Sequence, residues 1–304
     1  MSGIRIGVDL GGTKIAIAAL DAQGTEVYTH RIRAPRDDYR ATIAAIGDLV
    51  AGAVQQLGLT ASVGVAMPGS ISPSTGLVQN SNSTWLNGTP LQTGLAAHLG
   101  RPVRMANDAN CFTLSEAADG AAKGARSVFG VILGTGCGGG LVFDGKIIDG
   151  PRGCGGEWGH TSLPWPRPEE VPGPTCWCGR PGCMEVWVSG TALYQDYLRG
   201  GGDAARAGDA VAVEVLAGQG DAVAAAAFER HTFRLARGLA MIVNIFDPEV
   251  IVLGGGLSKL PHLYDELPGL MRPFVFADNP AVTIRPPVHG DASGVRGAAR
   301  LWDA

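Results

Sequence analysis

Long apolar runs are missing from this sequence. Its cleanest hydrophobic stretches, such as Val250-Ile251-Val252-Leu253, are strand-sized and far short of a bilayer span. The amino terminus, Met1-Ser2-Gly3-Ile4-Arg5, has no basic region leading into an apolar core, so no signal peptide is expected. These absences give the expectation of a cytoplasmic protein with no membrane partner. An excess of positive charge is missing as well. Lys and Arg number 24 against 28 Asp and Glu, a formal net charge of -4, which argues against a nucleic-acid binder. It leaves room for a phosphate ligand, because backbone N–H groups bind anions without net basic charge. Cysteine is scarce: six in 304 residues do not make a disulfide scaffold. Yet Cys176, Cys178 and Cys183 fall within eight residues, and in a reducing compartment that clustering points to metal before disulfide.

What is present is ordinary for a globular chain, with 45% hydrophobic and 17% charged residues and length enough for two domains. Ile4 to Val8 alternates apolar residues and runs into Asp9-Leu10-Gly11-Gly12-Thr13-Lys14, after which Ile15 to Leu20 continues as a second apolar stretch. That pattern predicts strand, tight glycine turn, strand. A helix is expected from about Tyr39 to Leu57, with Ile43, Ile46, Val50 and Val54 at helical spacing, and a short strand at Val63 to Met67. The plan then recurs. Val128 to Leu133 runs into Gly134-Thr135-Gly136-Cys137-Gly138-Gly139-Gly140 and on through Leu141-Val142-Phe143, with Gly130 falling on Gly7 and Gly134 on Gly11. Two such hairpins suggest two related α/β lobes. A long amphipathic helix is expected from Asp221 to Phe246, ended by Asp247-Pro248. Val250 to Leu253 then meets a third glycine loop, Gly254-Gly255-Gly256, and a short terminal helix is expected around Gly294 to Leu301.

Glycines let backbone N–H groups approach an anion closely, since no Cβ intervenes. In the first loop Thr13 adds a hydroxyl and Lys14 a positive charge, and Asp9 at the strand end suits a magnesium ion held through water. One such loop alone reads more readily as a plain hairpin turn, since glycine is the default turn residue. Three at strand ends shift the balance to phosphate binding. The second loop also matches G-x-G-x-x-G, the dinucleotide fingerprint. That fingerprint must open a helix, and here Gly140-Leu141-Val142-Phe143 continues as strand, which argues against the dehydrogenase reading.

Cys176, Cys178 and Cys183, preceded by His160, supply four ligands of the kind that tetrahedral zinc prefers, and four protein ligands leave no open position, so the zinc is expected to be structural. It would staple the Gly-, Pro-, Trp- and Cys-rich stretch Pro151 to Cys183, which shows little periodicity of its own. Phosphoryl transfer to a hydroxyl needs a carboxylate at the acceptor oxygen, and Asn107-Asp108-Ala109-Asn110, after the apolar Val103 to Ala106, is the best candidate. The same residues serve equally well as a helix cap. Glu157 and Glu185 flank the cysteine cluster, where a staple would hold them as sugar-gripping carboxylates. A carboxylate pair also suits a glycosidase, but that leaves the phosphate loops without a purpose.

Asp9-Leu10-Gly11-Gly12-Thr13-Lys14, Asn107-Asp108-Ala109-Asn110, Leu133-Gly134-Thr135-Gly136, Gly156-Glu157-Trp158-Gly159-His160 and Cys176-x-Cys178-Gly179-x-x-Gly182-Cys183-x-Glu185 together resemble the ROK family of repressors, open reading frames and kinases. The resemblance runs nearly the whole chain. It implies a two-lobed actin/hexokinase-like α/β ATPase fold, a duplicated ribonuclease H-like motif with a zinc-stapled loop. The lobes would be residues 1–118 completed by a terminal helix at about 291–304, and residues 119–290 carrying the zinc loop at 151–185. It implies Asp108 as the general base for a sugar 6-hydroxyl, and Gly69, Asn82, Asn107, Glu157, His160 and Glu185 as sugar ligands, with His160 also on zinc through its other nitrogen. Gly11, Gly12, Thr13 and Lys14, and Gly134, Thr135, Gly136 and Gly138, would hold the phosphates of ATP and its Mg2+ with Asp9. Gly254 and Gly255 would form the adenosine loop. A homodimer is implied too.

Within the family, Pro35 to Arg40, Asn80 to Gly88 around Trp85, and Gly134 to Gly138 most resemble bacterial fructokinases that also accept mannose. Fructose is therefore the expected acceptor, with N-acetylglucosamine or glucose as the alternative. The family's sugar-responsive repressors carry a winged helix-turn-helix ahead of the first strand. The first strand here is expected at Ile4, which with the acidic charge argues against that class, and the intact Asp108 argues against a non-catalytic sugar binder.

Overall fold

The computed structural model describes residues 3–58 and 61–303; Met1 and Ser2, part of the expected non-signal terminus, and Ala304, at the end of the expected terminal segment, lie outside the described residues. Contacts divide the chain into two compact units, one of Met1–Arg126, Gly140–Gly156 and Val288–Ala304, the other of Ser127–Gly139 and Glu157–Pro287.

The first unit carries β1 (Arg5–Leu10), β2 (Lys14–Leu20), β3 (Glu26–Arg33), α1 (Tyr39–Leu57), β4 (Ser62–Met67), β5 (Ser70–Ile71), β6 (Val78–Gln79), α2 (Leu91–Leu99), β7 (Val103–Asn107) and α3 (Asp108–Ala118). Then come β8 (Ser127–Leu133), β9 (Cys137–Phe143), which runs from the second unit back into the first, and β10 (Lys146–Ile147). The second unit continues with α4 (Glu185–Val188), α5 (Gly190–Arg199), α6 (Ala210–Gly218), α7 (Ala222–Phe246), β11 (Val250–Gly254), α8 (His262–Met271) and β12 (Ile284–Arg285). The last helix, α9 (Ser293–Arg300), belongs to the first unit.

One five-stranded sheet has the order β3-β2-β1-β4-β7 and the other β10-β9-β8-β11-β12. In the first, β2 pairs antiparallel with both β1 and β3, while β4 is parallel to β1 and β7. In the second, β11 is parallel to β8 and β12, and β10 antiparallel to β9. The two orders correspond element for element, as the recurring hairpins led one to expect. Parallel strands need crossover connections, and α1 supplies the one between β3 and β4. Its start is fixed by Asp38, whose side chain accepts the Ala41 N–H, and its end by Gly58 in the left-handed region at φ 64°. Ile46, Val50 and Ala53 on its inner stripe are buried with Ile6, Val8, Ile15, Val63 and Val65 of the sheet.

Helix α9 lies against β1, β4 and α3. It comes so close that a Cβ on Gly7 would stand 1.9 Å from the Val295 carbonyl oxygen, and one on Gly64 1.9 Å from that of Ala298. Only glycine admits such an approach. In the second unit, α7 begins where Asp221 accepts the Val223 and Ala224 N–H groups, and it ends at Asp247 (φ 49°). Its buried stripe includes Phe228, Leu235, Leu239 and Ile242, with Phe246 at the end more exposed than the sequence pattern implied. No single helix among the described residues is long and apolar enough to cross a membrane.

Candidate active site

In the first unit, the β1–β2 turn closes through the Gly11 N–H, which donates to the Lys14 carbonyl at 3.0 Å, and is braced by Ala34 N–H to the Thr13 carbonyl at 3.0 Å. Asp9 lies near the end of β1, ahead of this turn. Burial raises its carboxyl above the usual carboxylate range, opposed by the positive charges of Lys14 and Arg31. Gly12 faces Ser83, whose Oγ would lie 3.6 Å from a Cβ there. Ser83 sits in the loop 80–88, which is pinned by one side chain. Asn87 Oδ1 accepts the Ser81 N–H and Asn87 Nδ2 donates to the Ser81 carbonyl, both at 2.9 Å. Asn82 stands exposed between the buried Ser81 and Ser83.

Gly69 turns the chain at φ 75°, against Gln79 and Ser81 backbone, and its carbonyl accepts from Asn107 Nδ2 at 3.2 Å. The first unit thus links Gly12, the 80–88 loop, Gly69 and Asn107 in one chain of neighbours. The local sequence allowed either Asn107 or Asp108 to cap α3. Asn107 is the cap, accepting the Ala109 N–H at 2.9 Å and the Asn110 N–H at 3.3 Å. Asp108 is the first helical residue, with Oδ1 accepting the Ala109 N–H at 2.8 Å.

In the second unit, the β8–β9 turn closes through Gly134 N–H to the Gly136 carbonyl at 3.0 Å and continues into β9 from Cys137, a strand and not a helix. The absence of a helix there removes the anion-receiving helix N-terminus that a dinucleotide fingerprint requires. Thr135 is exposed at the tip, and the Gly138 carbonyl accepts from Trp158 Nε1 at 3.0 Å. Glu157 precedes the short turn Trp158–His160; burial raises its carboxyl, His160 lowers it and the nearby Glu185 raises it further. Glu185 begins α4 and its Oε2 accepts the Cys137 N–H at 3.1 Å.

The ligand atoms of His160, Cys176, Cys178 and Cys183 all lie within 4.8 Å of one another. His160 Nδ1 is 3.6 Å from Cys176 Sγ, and Cys178 Sγ is 3.6 Å from Cys183 Sγ. Tetrahedral zinc with Zn–S near 2.3 Å has ligand–ligand edges of about 3.6 to 3.8 Å, and the donor types and these two 3.6 Å spacings suit that metal. Because Nδ1 faces the cysteines, Nε2 is the nitrogen left for another partner. The segment, expected from its lack of periodicity to depend on a metal staple, has another fastening. Glu170 is buried and accepts from Arg234 Nε at 2.9 Å and Arg237 Nη2 at 2.7 Å, tying the segment to α7.

Gly254 closes β11, and Gly255 (φ 79°) passes so near the Leu133 backbone that a Cβ would meet its carbonyl oxygen at 2.5 Å. Beside it opens a cavity of about 630 Å³ whose lining includes Thr135, Thr191, Tyr194, Asp209, Glu214 and Gly256. It is of a size that suits a nucleoside. Sequence reasoning missed Thr191, Tyr194, Asp209 and Glu214. The signals for them were slight: Ser189 and Asp209 are the N-caps that start α5 and α6.

The model of the ROK family matches residues 5–304. The chain is 40% identical over 308 residues to the N-acetyl-D-glucosamine kinase of Photobacterium profundum, covering 97% of this chain and 98% of that protein. Among solved structures it resembles the ROK hexokinase of Thermus thermophilus, with 30% identity, 99% and 100% coverage and a TM-score of 0.86. It also resembles the ROK family glucokinase of Streptomyces griseus in complex with glucose and AMPPNP, with 29% identity, 98% and 99% coverage and a TM-score of 0.78.

Proposed function

Since the chain belongs to the ROK family, we propose that it is an ATP-dependent hexose kinase whose acceptor is N-acetylglucosamine, phosphorylated at the 6-hydroxyl. The observation that carries the choice of acceptor is the identity of 40%, across almost the full length of both chains, to an N-acetyl-D-glucosamine kinase. Fructose, expected from the segments around Trp85, rests on short local likeness and gives way to it.

Asp108 takes the proton from the acceptor hydroxyl as that oxygen attacks the γ-phosphorus and the bond to the β–γ bridging oxygen breaks, releasing ADP; its place at the first turn of α3 fixes the carboxylate through the Ala109 N–H. Asn107, Gly69 and Asn82 carry amide and backbone groups suited to sugar hydroxyls, as do the carboxylates of Glu157 and Glu185 and Nε2 of His160. The turns at Gly11 to Lys14 and Gly134 to Gly138 receive the phosphates, and the 630 Å³ cavity beside Gly256 receives the nucleoside. Bound Mg2+, held near Asp9, would neutralise charge developing on the phosphoryl oxygens. His160, Cys176, Cys178 and Cys183 would hold a structural zinc that fixes the chain around Glu157 and Glu185. The reading takes the lobes as residues 1–118 with 291–304, and 119–290, and includes a cytoplasmic homodimer with no nucleic-acid partner.

A coupled ADP-release assay with ATP, magnesium and a panel of N-acetylglucosamine, glucose, mannose and fructose tests it. The highest kcat/KM is expected on N-acetylglucosamine. A clear preference for fructose would reinstate the reading around Trp85, and no turnover on any of the sugars would remove the kinase assignment.

A further inference from the structure

The carboxylate of Glu185 has two neighbours within the second unit. Its Oε2 accepts the Cys137 N–H at 3.1 Å, while Oε1 lies 3.7 Å from Cys176 Sγ in the cysteine cluster. A Cβ on Gly136 would stand 2.7 Å from Oε2, so the carboxylate is seated directly against the glycine turn. Further along the same segment, the Gly190 N–H donates to the Gly134 carbonyl at 2.7 Å. The segment from Glu185 to Gly190 therefore grips the turn Gly134 to Cys137 at both ends, once by a side chain and once by backbone.

We propose that Glu185 is a positioning residue for the nucleotide, holding the Gly134–Cys137 turn in its phosphate-receiving shape, beyond any contact it makes with sugar. The physical reason is the cost of ordering. A glycine-rich turn loses more conformational freedom on being fixed than any other kind of backbone, and a phosphate that must order the turn on binding is bound more weakly. A charge-assisted hydrogen bond at one end and a backbone bond at the other impose that order in advance.

The inference rests on the reading that this turn binds phosphate, and the test separates the two. Binding of AMPPNP with magnesium, without sugar, is measured by titration calorimetry on the zinc-loaded full chain, with zinc content and melting temperature taken on the same samples. Glu185→Ala is expected to weaken AMPPNP binding by about tenfold, as loss of a hydrogen bond to a charged group would. Gly136→Ala, whose methyl group displaces the carboxylate, is expected to act alike. Glu185→Gln keeps an oxygen that can accept the Cys137 N–H, and it should restore AMPPNP binding to within about threefold while still weakening sugar binding. Wild-type AMPPNP affinity in Glu185→Ala, with only sugar binding reduced, would overturn the positioning role and leave the phosphate reading intact. Weakening confined to samples that have lost zinc would overturn it too. No AMPPNP binding by the wild-type chain would remove the phosphate reading and the inference together.

Discussion

The sharpest test of the chemistry is the pair Asp108→Asn and Asn107→Ala, because the proposed mechanism gives these neighbours different tasks. In Asp108→Asn the side chain keeps its shape, and its amide oxygen can still accept the Ala109 N–H that Asp108 Oδ1 accepts at 2.8 Å. The cap, made by Asn107 to Ala109 and Asn110, is untouched, so stability should change by about a few tenths of a kcal/mol at most. What is lost is the group that takes the acceptor proton. General-base contributions of roughly 10²- to 10⁴-fold translate into about 3 to 5 kcal/mol of barrier, visible as a fall in kcat with sugar binding retained. Asn107→Ala should do the reverse to the fold: it removes the cap and the contact to the Gly69 carbonyl, at a cost of about 1 to 2 kcal/mol in unfolding free energy. The assays are coupled ADP release with N-acetylglucosamine, sugar binding by calorimetry, and urea unfolding. Undiminished turnover in Asp108→Asn would refute the base. A stability loss in Asp108→Asn matching that of Asn107→Ala would show that Asp108 too serves the helix.

Three further outcomes are expected. A chelator strong enough to strip zinc from His160, Cys176, Cys178 and Cys183 should abolish turnover, and full activity in verified metal-free protein would dismiss the staple. Glu170→Ala leaves Arg234 and Arg237 buried with one partner gone, so unfolding free energy should drop by about 3 to 5 kcal/mol in urea; a loss below about 1 kcal/mol would mean water reaches the pair. His231 is wholly buried with Nε2 on the Val188 carbonyl at 2.9 Å, and burial lowers its pKa to about 4 from 6.5. The unfolded chain then holds the extra proton between those values, so stability rises with pH across that window, by about 3 kcal/mol in order of magnitude. His231→Gln, which keeps a donor for Val188, should flatten that rise relative to wild type; an unchanged slope would mean the histidine is not the group responsible.

How far the sequence carried depends on what each element needed. Helix α1 lies at Tyr39–Leu57, the span its period predicts, because Asp38 and Gly58 end it in the ways such residues end helices. Strand β3 escaped notice because it edges the sheet with most of Glu26–Arg33 exposed, leaving little apolar alternation to read. Helix α6 was missed as well. It is Ala- and Val-rich, and exposed Val211 and Val215 blur any stripe. With α5 and α6 unplaced, the nucleoside-sized cavity they border had no sequence signature beyond its glycines.

The candidate site divides along the same line. Where a ligand would demand backbone, the sequence is most readable, since glycine lets an amide approach an anion with no Cβ between and lets Gly136 lie against Glu185. Metal ligands are equally explicit, because few residue types bind zinc and the spacing must let three sulfurs converge. Sugar recognition imposes neither restriction: amides, carboxylates and hydroxyls in many arrangements satisfy the same hydroxyl groups. Rejecting an analogue by the fit of one substituent is worth only about 1 to 3 kcal/mol unless a buried polar group is left unpaired. The segment that favoured fructose, Asn80 to Gly88, takes its shape from Asn87 bracketing Ser81, a pair that spans the exposed Asn82. That bracket shapes a loop and names no sugar. A change of acceptor can thus leave each phosphate and metal motif in place, which is why likeness in those motifs identifies the reaction while likeness along the whole chain is needed to favour one acceptor over another.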